Sequence, residues 1–406
     1  MSGSSGNRSD VKLRKFPFPF QAMLAIANDV DEEQIAQFRE LHRFFNTRAM
    51  TRMGEGLGLD IGDSFWMYGP HDYDLMTYWK GYDWGIKNHA EEILRYISCG
   101  WIDSLHSYGD YNDQMAFTRE HALQAINELE KQGVHLKVWL NHGNSNNIQN
   151  FPGAFLTHHS ASHLKGDLPG TPGYHTDVTI PWGIQFVQDG TLNDQLGHDS
   201  LLRPVSLWDG QQIWGFRRLE ARRESPWRKG LRMVLERWGI KLTYWNWHPE
   251  RLGEQLSREN LDSLVENQHY GVVGQHLGIR RQDLDHSAVE GLLRLKEKHQ
   301  AGEILVARLS RLLEYNRVHQ HLDYRVFTHE HKTVIDIRAV NDPVCGYFVP
   351  ALEQVRGITF TGALDPEQTK LCLAGVELNE EDLIRSAGEK VIGVRWFEPD
   401  YHDYTQ

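Results

Sequence analysis

The sequence predicts an α/β protein: a (β/α) barrel of parallel strands, followed by a small antiparallel β-sandwich-like unit. Three observations predict it. Short apolar runs alternate with amphipathic helical stretches over the first two-thirds of the 406 residues, the pattern of parallel βαβ units. Those runs end in polar, chemistry-bearing residues, as strands do when their C-terminal ends line a barrel mouth. Beyond residue 322 the texture changes to short strand candidates separated by turn residues.

In chain order, Ala22-Met23-Leu24-Ala25-Ile26-Ala27 reads as a buried strand that ends in Asn28-Asp29-Val30-Asp31. Glu32 to Phe45 has helical spacing, with Ile35, Phe38, Leu41 and Phe44 on one face. Gly56 to Trp66 reads as a second strand entering a loop. Ala90 to Ile97 is helical, and Gly100 to Leu105 leads into His106. Thr118 to Gln132 is an amphipathic helix stopped by Gly133. Val134 to Leu140 alternates as a strand and ends in Asn141-His142-Gly143. Ile184–Val187, Gln212–Phe216, Lys241–Trp245 and Tyr270–Val273 are further strand candidates, the last leading to Gln275-His276.

From Ser287 to Leu322 the pattern is helical and long, with Leu292, Leu295, Ile304, Leu305, Leu309 and Leu312 among its apolar positions. Val326–Thr328, Thr333–Ile337, Ile358–Thr361, Lys370–Ala374 and Val391–Trp396 are the strands expected of the small unit. The expected division is a disordered tail over 1–15, a barrel over 16–286, a helical connector over 287–322 and a β-rich unit over 323–406.

Composition excludes several classes. The net charge of −12 argues against nucleic-acid binding through a basic surface. No apolar run approaches a membrane span, and nothing near the N-terminus resembles a signal peptide, so a cytoplasmic protein is expected. Cys99, Cys345 and Cys372 are scattered and form neither a CxxC pair nor a disulfide framework. Aromatic residues stand beside Gly, Asp, Asn and His in Phe65-Trp66-Met67-Tyr68-Gly69, Tyr82-Asp83-Trp84 and Tyr244-Trp245-Asn246-Trp247-His248. Flat apolar faces next to hydrogen-bonding groups suit sugar rings, although most of these aromatics read as core or rim packing.

The chemistry concentrates in two segments. On a strand, Asp29 and Asp31 point to the same side. In His106-Ser107-Tyr108-Gly109-Asp110, an imidazole and a carboxylate four apart share one face if the segment forms a helical turn. Together these residues supply three metal ligands and a spare base, the parts of a metal-dependent hydrolase.

Taken in order, these segments resemble the polysaccharide deacetylase (NodB-homology, carbohydrate esterase family four) superfamily, in particular its subset associated with surface-polysaccharide biosynthesis. The resemblance covers roughly residues 20 to 280. It rests on Asn28-Asp29-Val30-Asp31, on His106-Ser107-Tyr108-Gly109-Asp110 at the family's His-Ser/Thr-x-x-His place, on Trp139-Leu140-Asn141-His142-Gly143, and on Gln275-His276-Leu277. Two departures stand out: Asp110 replaces the second metal histidine, and the Arg-Pro-Pro-Tyr segment is absent. His159-Ser160-Ala161-Ser162-His163 matches the histidine motif literally. The earlier segment is preferred because it precedes the expected helix and strand.

The resemblance implies a deformed (β/α) barrel and N-deacetylation of an N-acetylated sugar. One divalent ion is expected on Asp31, His106 and Asp110: zinc foremost, with manganese, iron, cobalt or magnesium compatible. Asp29 is the expected base and His276 the expected proton donor to the leaving amine. Asn28, Trp139, Asn141 and His142 are the expected substrate-binding residues. Two other readings stay open: a metal-independent glycoside hydrolase built on two carboxylates, and a non-catalytic sugar-binding protein. Arg217-Arg218 reads either as an anion site or as a solvated strand end.

Overall fold

The computed structural model describes residues 11–70, 74–111, 116–143, 147–151, 165–192, 196–219, 234, 249–279 and 283–406. Its main sheet contains β1 (Ala22–Asn28), β2 (Asp63–Phe65), β3 (Ile102–His106), β4 (Val138–Leu140), β5 (Phe186–Leu192), β6 (Leu202–Ser206), β7 (Gln212–Leu219), β8 (Tyr270–Gln275) and β9 (Ile304–Val306). Eight of these run parallel in the order β9-β1-β8-β7-β5-β4-β3-β2, and β6 pairs antiparallel with β7. Strands that are apolar on both faces, such as the fully buried β1, must be covered on both sides, and crossover helices do this. The described helices are α1 (Ile35–Asn46), α2 (Ala90–Cys99), α3 (Arg119–Lys131), α4 (Thr176–Trp182), α5 (Leu252–Gln255), α6 (Arg258–Glu266), α7 (His286–Gln300) and α8 (Leu309–His321).

The sheet curls without closing through a backbone ladder among the described residues. β9 pairs with only the first half of β1, Ile304 opposite Ala22 and Val306 opposite Leu24. Past that point β2 comes beside β1 through side chains, Asn28 Nδ2 donating to the Asp63 carboxylate at 2.6 Å and Ser64 linking to the β1 end. Ser64 Oγ donates to the Asn28 carbonyl at 2.8 Å and accepts from the Val30 amide at 3.1 Å. The expected barrel is therefore an open curled sheet with a side-chain seal.

Three expectations are corrected. The 287–322 stretch is not one helical connector, because Ile304–Val306 between α7 and α8 is an edge strand of the main sheet. Its three residues are too few to break a helical hydrophobic pattern. The 1–15 tail is ordered in its last part: Val11–Arg14 pairs antiparallel with Thr359–Gly362. The small unit is also not purely antiparallel. Its four-stranded sheet is, but in its five-stranded sheet Thr333–Ile337 runs parallel to Thr369–Leu373. Lys241–Trp245 lies outside the described residues.

The small unit is not packed as a separate bead. One core joins Ala25, Ala27, Val138, Leu140, Phe186, Trp214, Phe216 and Val272 of the main sheet with Leu312 and Leu313 of α8 and with Ile335, Ile337 and Phe360. Trp214 Nε1 donates to both Asp342 carboxylate oxygens at 3.1 Å. The opposite face of the sheet, with Leu24, Ile26 and Val273, packs on Leu41, Phe44, Leu261, Leu292 and Leu295 of the flanking helices.

Candidate functional site

Because the eight strands are parallel, their C-terminal ends lie at one rim. Asp29 follows β1, His106 ends β3, His142 follows β4, Arg218 is the penultimate residue of β7, and His276 follows β8. Strand phase decides which of these side chains turn inward. Asp29 continues the phase of Ala25 and Ala27, His142 that of Val138 and Leu140, and Arg218 that of Trp214 and Phe216. All of those neighbours belong to the core beneath α8. At β8, Gly274 is in phase with His276, and a Cβ there would come within 2.6 Å of the Arg218 side chain, so the glycine makes room for the arginine.

Asp31, His106 and His142 meet at the centre. His106 Nε2 is 2.9 Å from Asp31 Oδ1 and 3.1 Å from His142 Nδ1, and His142 Nδ1 is 3.1 Å from Asp31 Oδ1. Two ligand atoms each about 2.0–2.1 Å from one cation lie about 2.8–3.4 Å apart at octahedral or tetrahedral angles, so this triangle fits a single first-row divalent ion. Asp31 reaches the triangle because β1 stops at Asn28. Ser64 then fixes the Val30 amide, and Glu32 turns the chain at φ 59°. Trp66 stacks on His106 with centroids 5.8 Å apart and presents an edge relation to His142 at 5.2 Å, which walls both rings from one side.

The charges are tightly interlocked. Burial alone would raise the Asp31 carboxyl, but His142, His106 and His276 hold it well below the usual carboxylate range. Burial opposes charge on His142, yet Asp31 and Asp110 at its two nitrogens push its pKa up to about 10. His276 Nε2 lies 2.8 Å from Asp31 Oδ2 and 3.5 Å from Asp29 Oδ2. Asp29 is buried, and Arg218 clamps it with Nη1 to Oδ1 and Nη2 to Oδ2, each at 2.5 Å. Burial would raise the Asp29 carboxyl too, but Arg218, and after it His106, keeps it below its usual range. Arg218 is thus neither a surface anion site nor a solvated strand end. Its phase with Trp214 and Phe216 was the available signal.

Asp110 is corrected. His106 ends a strand and Ser107 has φ 47°, so His106 and Asp110 do not share a helical turn. The Asp110 carboxylate instead accepts from His142 Nε2 at 3.0 Å, on the far side of that ring from the triangle. Three expected substrate-binding residues are engaged within the protein. Asn28 Nδ2 donates to Asp63 at 2.6 Å and to Glu33 at 3.2 Å, while its Oδ1 accepts from the Leu277 amide at 2.6 Å. Asn141 donates to the Phe151 and Gln188 carbonyls and accepts from Trp139 Nε1 and the Phe151 amide. Trp139 is fully enclosed, with ring contacts to Phe151, His175 and Tyr108. These residues are out of phase with the rim-facing set and hold the loops. His158, His159 and His163 lie outside the described residues, as do Tyr244 to His248.

The chain matches no protein-family model and no curated protein. Among solved structures it is similar to 4-alpha-glucanotransferase from Thermococcus litoralis, at 12% identity and a TM-score of 0.34, over 72% of this chain and 39% of that one. It is also similar to ornithine decarboxylase from Entamoeba histolytica, at 9% identity and a TM-score of 0.17, over 94% of this chain and 84% of that one. At those scores neither likeness defines the fold or the function. No helix among the described residues is long and apolar enough to cross a membrane.

Proposed function

We propose that this protein is a hydrolase acting on carbohydrate, with one divalent ion held by Asp31, His106 and His142, and that it removes the acetyl group from an N-acetylated sugar. One observation carries the reading: a carboxylate oxygen and two imidazole nitrogens converge within 2.9–3.1 Å at the C-terminal rim of a parallel sheet. Two imidazoles and one carboxylate suit zinc, cobalt, iron or manganese better than magnesium or calcium, which favour all-oxygen shells. The ion would supply Lewis acidity, lowering the pKa of a water and polarising a carbonyl.

The chain's own residues do the rest. Asp29 stays charged beside the ligand set and accepts the water's proton, while Arg218 keeps its carboxylate in one orientation. His276, within reach of both aspartates, donates a proton to the leaving amine. The sugar class rests on the sequence resemblance and on aromatic surface at the rim. Trp84 is 43% exposed and stands two residues from Tyr82, whose hydroxyl donates to the Asp110 carbonyl at 2.8 Å. For a metal-independent glycoside hydrolase, Asp29 or Asp31 would pair with Asp63, Asp103 or Asp110; Asp63 and Asp103 are buried and engaged by Asn28 and by the Ser310 amide, and Asp110 accepts from His142 Nε2.

The test is metal analysis of the purified protein after loading with zinc or cobalt, together with acetate release from N-acetylated oligosaccharides before and after chelation. The reading expects about one ion per chain and acetate release that chelation abolishes. Undiminished acetate release in the chelated protein, or no retained ion after loading, refutes it.

A further inference from the structure

We infer that Asp110 is a positioning residue, which selects the nitrogen that His142 turns toward the Asp31–His106 pair; this rests on the metal reading above. An imidazole ring has two nitrogens, and the hydrogen bond made by one fixes the role of the other. The Asp110 carboxylate is 3.0 Å from His142 Nε2, so that nitrogen carries a proton and donates it. Nδ1 is then the nitrogen left to face Asp31 Oδ1 and His106 Nε2, each 3.1 Å away. Without the carboxylate, the neutral ring can hold its proton on Nδ1 and donate it to Asp31 Oδ1, which would close that position to a cation.

The surroundings hold Asp110 for this task. Gly109 bridges to Tyr68, and a Cβ at Gly109 would come within 2.4 Å of the Tyr68 carbonyl oxygen. The Asp110 carbonyl accepts from Tyr82 Oη, and the Tyr111 amide donates to Asn147 Oδ1 at 3.0 Å. The segment is therefore pinned on both sides of the carboxylate. His142 is pinned likewise, its amide donating to Asn150 Oδ1 at 3.2 Å while its carbonyl accepts from Asn150 Nδ2. A loop carboxylate at the place of an expected metal ligand, with a strand-end histidine brought in from β4, forms a carboxylate–histidine pair aimed at the ligand triangle.

The experiment compares the full-length parent with Asp110→Ala, Asp110→Asn, His142→Ala and His106→Ala. Zinc affinity is measured by competition titration, and the number of imidazole ligands on bound cobalt(II) by X-ray absorption. Asp110→Ala is expected to weaken zinc about 10–100-fold, the usual cost of losing the carboxylate behind a ligating histidine, while saturated cobalt keeps two imidazoles. Asp110→Asn keeps an oxygen that accepts from Nε2–H and should recover part of the loss. His142→Ala and His106→Ala should each remove one imidazole.

The inference is overturned if Asp110→Ala binds zinc with parent affinity. It is equally overturned if saturated Asp110→Ala loses an oxygen ligand while His142→Ala keeps two imidazoles, since Asp110 would then be the ligand. A parent protein that binds neither zinc nor cobalt fails the metal reading itself and this inference with it. Asp110→Asn, which alters no volume, keeps the test decisive if Asp110→Ala does not fold.

Discussion

Replacing Arg218 by Met is the sharpest probe of how the site is built. The side chain keeps much of its volume but loses the guanidinium. Asp29 is 2% exposed and Arg218 3%, and the two hydrogen bonds between them are the short ones that Asp29 makes at 2.5 Å. The histidine nitrogens nearest Asp29 stand at 3.5 and 3.9 Å. The variant therefore leaves a buried carboxylate whose nearest histidine nitrogens stand at 3.5 Å or more. Breaking a buried pair from one side costs about 3–5 kcal/mol, a large part of the roughly 5–15 kcal/mol that holds a domain together.

The pH dependence follows. The parent Asp29 pKa lies below 3.8, so its contribution is present above that pH and is lost as the pH falls through the folded value. In the variant, burial without the cation raises the pKa, so the carboxylate costs free energy at neutral pH. The gap between the two proteins should be widest near neutrality and shrink on acidification toward pH 4, where the variant's Asp29 has taken up its proton. Urea unfolding of the parent, Arg218→Met, Asp29→Asn and the double variant measures both terms. The double variant should be more stable than the sum of the single losses predicts, by roughly 2 kcal/mol or more. A cost under about 1 kcal/mol for Arg218→Met, or additive losses, would refute the clamp.

Further outcomes are expected elsewhere. Asp29→Asn should retain zinc and lower acetate release by about 10²–10⁴, the contribution of a general base, and parent turnover in it would remove Asp29 from that role. Asp103 is buried, which raises its carboxyl from 3.8 to about 6. A raised carboxyl stabilises the fold below the unfolded value and loses that contribution as pH rises through about 6, so Asp103→Asn, which still accepts from the Ser310 amide, should gain about 3 kcal/mol on the parent between pH 4 and pH 8. Equal pH profiles in thermal unfolding would contradict this. Asn141→Ala should cost about 3 kcal/mol in urea unfolding, because it strands the Trp139 indole and Phe151 backbone partners, and leave zinc content at the parent level once folded. A chain ending at His321 should not give a soluble folded protein, because α8 and the main sheet share their core with Ile335, Ile337 and Phe360. A cooperative thermal transition in that fragment would show the main sheet to be self-sufficient.

Much of the fold was legible because burial writes itself into local pattern. A strand covered on both faces must be apolar throughout, so Ala22–Ala27 stands out, and the turn-separated runs after residue 322 mark the small sheets. Parallel strands also share one polar end, which predicts Asp29, Asp31, His106, Asn141, His142 and His276 at a common rim, although the Asn141 side chain is engaged by Trp139 and Phe151. Strand phase would have gone further, separating Arg218 and His142 from Trp139 and Asn141. It becomes informative only once the face beneath α8 is known.

The remainder depended on contacts between residues far apart in the chain. Arg218 reaches Asp29 across 189 positions, and nothing local to either residue records the pairing. Val11–Arg14 becomes a strand only because Thr359–Gly362 offers it an edge. β9 has three residues, too few to interrupt the helical pattern around it, and is a strand because half of the β1 edge was open. Asp110 and His142 stand elsewhere than their spacing suggested for the same reason. Sequence spacing put the carboxylate one helical turn from His106, whereas the left-handed Ser107 and the neighbouring strand put an imidazole against His106 and the carboxylate behind it.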